Sequence, residues 1–314
     1  MKSAIGGAPR ASTPQHRYEL FGMPFESAEP IPGLTEADGK DRAGAIQIRF
    51  GCVPQAIENP DYEDEMVQAN ASEYLFSYPG TLRFYMNGAS QIVVERLERC
   101  DPVRLWTLVL GAGASIAGFR RGFVPLHASA IKVGDGCIAL AGQSGFGKST
   151  LAASLTEFGF TLHADDLCLI KLASSGRPVV GAGVQELRLW DDAVEVLNWS
   201  GREPYAAVPE ISKSVYRLPH MQSWPLPLKR IYALEFADEE TPAGIFRIEG
   251  VAALQSLIGC LRLRMGLLSV GMRQRTFENL ASISREVEVY RFVRPHDRKQ
   301  LCAWSKRLAS HLTA

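Results

Sequence analysis

The sequence predicts an α/β fold built on a mixed sheet and preceded by a smaller β-rich region, and three observations predict it. Period-two alternation dominates before residue 100, strand-like and helix-like segments alternate after it, and a glycine-rich loop stands between an apolar strand and a helix. The 314 residues exceed the commonest single-core size, which favours a large domain with a smaller partner. Composition and periodicity place a floppy lead-in rich in Ala, Gly, Ser and Pro over residues 1–16, the β-rich domain over 17–100 and the α/β domain over 101–314.

Apolar alternation begins at Tyr18–Phe21. Ile46, Ile48 and Phe50 alternate with polar neighbours, and Leu82, Phe84 and Met86 do so again before Asn87-Gly88, a type I′ hairpin signal that makes Gln91–Val94 the returning strand. The acidic stretch Asn59–Glu65 reads as a loop or a short helix. Asp101-Pro102 supplies an N-cap and a first helical residue, Leu105, Val109, Ile116 and Phe119 continue at helical spacing, and Gly122 can close that helix.

The pattern then changes. Strands are predicted at Ala128–Val133 and Cys137–Ala141, joined by the tight turn Gly134-Asp135-Gly136, and a helix runs from about Lys148 to Phe158 with Gly159 as its C′ residue. Further strands are expected at Phe160–Ala164, Leu167–Leu172, Gln185–Leu189, Ile231–Phe236 and Val289–Val293, and helices at Val251–Met265, Gln274–Arg285 and Asp297–Leu312. Pro219–Pro227, containing Pro and Trp, reads as a loop.

Lys plus Arg equals Asp plus Glu, 34 each, so no global field draws nucleic acid or an anionic membrane to the surface, and phosphate binding has to be local. Cys52, Cys100, Cys137, Cys168, Cys260 and Cys302 are scattered, with no C-x-x-C pair and no accompanying His cluster, and read as reduced core thiols. The first fifteen residues lack the apolar run of a secretory signal and no stretch looks close to 18 apolar residues, so a cytoplasmic protein is expected.

Gly142-Gln143-Ser144-Gly145-Phe146-Gly147-Lys148-Ser149 satisfies G-x-x-x-x-G-K-[ST] in the required setting, after an apolar strand and before a helix, with Thr150 next in line. Glycines at 142, 145 and 147 allow backbone angles closed to other residues, so successive N–H groups can turn inward around phosphate oxygens at the positive end of the helix. Lys148 is expected at the β- and γ-phosphates of ATP and the Ser149 hydroxyl on Mg2+.

A phosphate loop specifies a nucleotide, and the next acidic group specifies the reaction. One helix and one strand separate Lys148 from Asp165-Asp166, so these carboxylates arrive beside the bound phosphates. Two roles follow, one carboxylate for Mg2+ and one for an attacking hydroxyl, with Asp165 the candidate base. The alternative is an Asp pair that only ends a strand.

In these motifs the chain resembles the catalytic domain of HPr kinase/phosphorylase: a histidine, His127, about fifteen residues before the loop, then Gly142–Ser149, then a helix and a strand ending in Ala164-Asp165-Asp166, then Glu186-Leu187-Arg188. The resemblance covers about Leu126–Leu189 and runs more loosely to the C-terminus. It implies a phosphate-loop kinase domain using ATP and Mg2+, with Asp165 as base, Asp166 and Ser149 near the metal, His127 oriented towards the carboxylate, and Glu186 as a further metal or supporting group. Where that family carries a glycine-rich segment after Glu-x-Arg, this chain has Leu189-Trp190-Asp191-Asp192. Pro125–Ala130, Lys148-Ser149-Thr150-Leu151 and Leu187–Trp190 look closer to the HPr-kinase-like proteins of peptide-tailoring gene clusters. That subfamily implies transfer of phosphate from ATP to the C-terminal serine of a lasso-peptide precursor. The other readings are an HPr(Ser)-type protein kinase and an ATP-binding switch that transfers nothing. A serine-bearing peptide or small protein is thus the expected partner, with homo-oligomerisation left open.

His163 reads as structural, Arg188 as either a charge stabiliser or a solvated arginine, and Lys213 and Arg217 as cations with no assigned role.

Overall fold

The computed structural model describes residues 15–37, 43–98, 100–208, 212–218, 224–262 and 273–313. The chain forms two compact units. The first holds the residues up to Glu19 and Met23–Arg121, and the second holds Leu20–Gly22, Gly122–Arg264 and Gln274–Ala314.

The first unit is built on β1 (His16–Leu20), β2 (Met23–Ser27), β3 (Ile46–Phe50), β4 (Tyr62–Glu63), β5 (Val67–Ala69), β6 (Glu73–Tyr78), β7 (Leu82–Asn87) and β8 (Gln91–Arg96). They form one sheet in the order β1-β2-β3-β8-β7-β6-β5-β4. The period-two residues Ile46, Ile48, Leu82, Phe84, Met86, Ile92 and Val94 are all fully buried, each contributing roughly 1.5–3 kcal/mol. The acidic stretch expected as a loop or helix contains the short strand β4. The β7–β8 hairpin also differs from the expected two-residue turn: Leu82 to Tyr85 pair with Arg96 to Val93, and Gly88 alone in the turn has positive φ. A type I′ turn needs two such residues.

Asp101 caps α1 (Pro102–Leu108) by accepting from the Arg104 amide at 2.9 Å; a π-turn over Val109–Gly113 and α2 (Ala114–Arg120) follow. This run belongs to the first unit, whose long segment ends at Arg121, whereas the sequence predicts the second domain from residue 101. Its side chains explain the shift: Trp106 meets the Phe50 ring at 6.0 Å, the Arg104 guanidinium lies over Tyr78 at 4.6 Å, and Arg120 Nη1 donates to the Gly88 carbonyl at 2.6 Å. Pro102–Arg120 is long and apolar enough by composition to cross a membrane, and 72% of its 18-residue apolar window is buried, as in a core helix.

The second unit comprises β9 (Val124–Leu126), β10 (Ala128–Val133), β11 (Gly136–Ala141), α3 (Lys148–Glu157), β12 (Thr161–Ala164), β13 (Cys168–Leu172), β14 (Pro178–Val180), β15 (Glu186–Trp190) and α4 (Asp191–Val196). β16 (Ala206–Val208), β17 (Lys213–Arg217), β18 (Leu226–Phe236), β19 (Gly244–Ile248), α5 (Gly250–Gly259), α6 (Arg273–Glu286), β20 (Glu288–Arg294) and α7 (Leu301–Thr313) follow. Most predicted elements are present within a residue or two. β18 begins at Leu226, inside the stretch expected as a loop, whose residues 219–223 lie outside the described residues. α5 stops at Gly259, and Met265, its expected end, lies outside the described residues.

The central sheet is mixed, as expected: β11–β18 and β18–β20 are parallel, whereas β10–β11, β10–β12 and β19–β20 are antiparallel. Both faces are covered, so its central strands are apolar throughout. Ala139, Ala141, Ile231, Ala233 and Val289 pack with residues of α5 and α6, while Ile138, Leu140, Tyr232, Leu234 and Phe292 pack with residues of α3 and α7. A separate three-stranded sheet has the order β15-β17-β16. Of the cysteines expected in the core, Cys137, Cys168 and Cys260 are buried, whereas Cys52 and Cys302 are exposed.

Candidate functional site

The glycine-rich loop leaves the end of β11 and enters α3, whose N-cap, Gly147, is left-handed at φ 71. Glycine is required there twice over: the angle is closed to most side chains, and a Cβ would collide with the Arg294 guanidinium. Arg294 Nη2 donates to the Phe146 carbonyl at 2.9 Å, and Lys148 Nζ donates to the Gln143 carbonyl at 2.8 Å, so two buried cations brace the loop. Burial pushes the Lys148 ammonium down to about 8, against the opposing pull of Asp165 and Asp166.

β12 ends at Ala164, and the two aspartates that follow diverge because Asp166 adopts a left-handed backbone at φ 68. Asp165 turns inward. Its Oδ1 accepts from Ser129 Oγ at 2.5 Å and from Ser149 Oγ at 3.1 Å, and burial raises its carboxyl above the usual range despite the Ser129 hydrogen bond. Asp166 faces the cavity. Arg262 Nη1 donates to its Oδ1 at 2.6 Å, His127 Nδ1 is 3.3 Å from the same oxygen, and Arg188 Nη1 is 3.9 Å from Oδ2. Burial alone would raise the Asp166 carboxyl, but Arg262, His127 and Arg188 together hold it well below the usual carboxylate range. Burial, Lys148 and Arg262 lower His127 to about 4, so its ring is neutral near pH 7.

One cavity of about 330 Å³ collects these groups, within the size range of small-molecule sites. Of the residues expected to bind nucleotide, Ser144, Gly145, Gly147, Lys148, Ser149 and Thr150 line it, as do His127 and Asp166; Gly142, Gln143 and Phe146 do not. Asp165, expected as the base, is 6% exposed and committed to Ser129 and Ser149, while Asp166, expected at the metal, opens into the cavity. Glu186, expected as a metal or supporting group, accepts from Arg217 Nε at 2.9 Å and faces Arg188 at 3.8 Å, without lining the cavity. His163 is structural as expected, bonded through Nε2 to the Val180 carbonyl at 3.0 Å.

Sequence reasoning missed Arg262, Arg294 and Trp190. A helix continued to Met265 would have left Arg262 as one more solvated arginine. The actual end at Gly259 lets Leu261 bridge to Leu126 and brings Arg262 Nη1 within 2.8 Å of His127 Nδ1. Lys213, left without a role, lies in the cavity with its ammonium 4.5 Å from the Trp190 ring centroid.

A magnesium ion fits the inner carboxylate. Asp165 Oδ2 is buried without a hydrogen-bond partner, beside the Ser149 hydroxyl, and this pair of hard oxygen donors suits Mg2+. Among the described residues no three His, Cys, Asp or Glu side chains form a metal cage, and Mg2+ at such sites takes its remaining ligands from phosphate and water.

The chain matches no protein-family model and no curated protein. Among solved structures it is similar to the Hpr(Ser) kinase/phosphatase from Coxiella burnetii, with 10% sequence identity, 60% of this chain and 89% of that chain covered, and a TM-score of 0.30. A likeness of that size assigns neither activity nor substrate.

Proposed function

We propose that the chain is an ATP-dependent kinase that transfers the γ-phosphoryl group to a hydroxyl of a peptide or protein. The observation that carries the proposal is the ionised Asp166 carboxylate facing the same cavity as Lys148 and Ser149 of the phosphate loop. Phosphoryl transfer requires chiefly positioning and charge neutralisation, and these residues supply both.

In this reading the loop amides and Lys148 cradle the triphosphate. Asp165 and Ser149 would hold Mg2+, which would neutralise charge on the phosphates. Asp166 accepts a hydrogen bond from the acceptor hydroxyl and directs its oxygen at the γ-phosphorus. The new O–P bond forms as the bond to the β–γ bridging oxygen breaks, ADP departs, and the hydroxyl proton passes to Asp166. A carboxylate so well stabilised as an anion is a weak base, and the dissociative character of phosphoryl transfer makes orientation its larger contribution. Arg188 lies 3.9 Å from Asp166, where it can meet charge on the transferring group.

The motif resemblance gives the acceptor its class: a serine hydroxyl, foremost the C-terminal serine of a lasso-peptide precursor. Mass spectrometry of serine-terminated precursor peptides incubated with the protein, ATP and Mg2+ tests it. A gain of one phosphate, lost in Asp166→Asn while ATP binding persists, is the expected result. ATP binding with no acceptor ever labelled refutes the kinase and leaves a nucleotide-binding switch.

A further inference from the structure

The cavity extends beyond the groups that handle phosphate and hydroxyl. On the Asp166 side its walls carry His127, Arg188 and Lys213, and elsewhere it meets the phosphate loop. A third part is apolar, formed by Ala193 and Val196 of α4 and Leu301 at the start of α7. Val196 is 37% exposed and lines the cavity. Arg298 Nη1 pairs with Asp192 Oδ2 across this part, and both side chains are half exposed.

A triphosphate with its terminal group at Lys148 and Ser149 has to direct its nucleoside away from Asp166. The aromatic ring of Phe236 is not free to receive a base, since it stacks on Phe146 at 5.1 Å and meets Arg294 at 4.8 Å and His296 at 4.4 Å. The α4–α7 part of the cavity is apolar at Ala193, Val196 and Leu301, of which Ala193 and Leu301 are held in the core, and polar at Asp192 and Arg298. A solvent-exposed ion pair contributes little by itself, so Arg298 can shift at small cost, and a planar guanidinium stacks well on an aromatic face.

We infer that Ala193, Val196 and Leu301 enclose the purine base of the nucleotide, with Arg298 stacked on the ring and Asp192 accepting a hydrogen bond from an exocyclic amino group. This rests on the kinase reading and adds its nucleotide specificity: aminopurine triphosphates over inosine triphosphate. Asp192 belongs to the segment Leu189-Trp190-Asp191-Asp192, which stands where the resembled family carries a glycine-rich segment.

Equilibrium binding of ATP, inosine triphosphate and inorganic tripolyphosphate, each with Mg2+, to the full chain separates the base subsite from the phosphate cradle. The wild type is expected to bind ATP about tenfold or more tighter than tripolyphosphate, from stacking and apolar cover of the base. Val196→Trp, which fills the subsite, and Arg298→Ala should bring ATP down towards tripolyphosphate while tripolyphosphate binds as before, which also shows that the variants are folded. Asp192→Ala should remove the preference for ATP over inosine triphosphate. ATP binding unchanged in both Val196→Trp and Arg298→Ala, or ATP no tighter than tripolyphosphate in the wild type, overturns the inference while leaving the phosphate loop intact. A wild type that binds neither ligand overturns the kinase reading and the inference with it.

Discussion

In the first unit the only charged side chain buried among the described residues is Glu26, 3.5 Å from Arg17, whereas the second unit buries Lys148, Asp165 and Arg294. Each costs desolvation energy, and folding alone does not call for them. The first unit shows what a sheet of this chain looks like when packing decides: Ile, Leu, Phe and Val on the inner face, with ion pairs such as Arg96–Glu29 at the surface. In the second unit Lys148 and Arg294 brace one loop, and Asp165, 3.1 Å from Ser149, keeps an oxygen with no donor. An unpaired carboxylate oxygen beside a glycine-rich loop points to a ligand that completes it.

The contrast breaks most severely at Lys148. Lys148→Ala should lower phosphoryl transfer by about a thousandfold or more, measured as initial rate with saturating acceptor. Asp166→Asn should lower kcat by about 10²–10⁴-fold and leave ATP affinity in place, separating acceptor handling from nucleotide binding. Arg262→Gln should cost about tenfold in kcat and raise the acid limb of the pH–rate profile. The sign follows from the ion pair: Arg262 helps hold Asp166 ionised, so without it the carboxylate protonates at a higher pH as the solution is acidified.

A smaller effect sharpens the comparison through pH. Lys148 titrates at about 8, so calorimetric affinity for tripolyphosphate should fall as pH rises from 7 through 9 and the cation is lost. His127, lowered to about 4, stays neutral across the same range and adds no limb near its ordinary value. The smallest change lies in the first unit: Glu26→Gln should cost about 1 kcal/mol of stability in thermal unfolding and leave ATP affinity as it was.

The strand–loop–helix around Lys148 was legible because each part of it is local: apolar run, glycines at fixed offsets, then a helix with Gly159 at its C′ position, where φ is 84. The mixed sheet was legible for its long strands. β14, β16 and β19 escaped because three to five residues of modest apolarity carry little periodic signal. The nearness of Asp165 and Asp166 to the loop could be read from one intervening helix and strand, but their individual directions could not. Alternation holds only inside a strand, and Asp166 lies past its end with a left-handed backbone. Arg262 was invisible for a related reason: 96 residues separate it from Asp166, and an early stop of α5 brings them together.

A crystal structure of the full chain with Mg2+ and a non-hydrolysable ATP analogue tests the central claim most directly. The account predicts the triphosphate inside the ring of amides at 142–149 with Lys148 on its terminal phosphates, Mg2+ on Asp165 and Ser149, and the Asp166 carboxylate open towards the γ-phosphorus. A triphosphate bound elsewhere, or an Asp166 carboxylate turned away from it, would contradict that account.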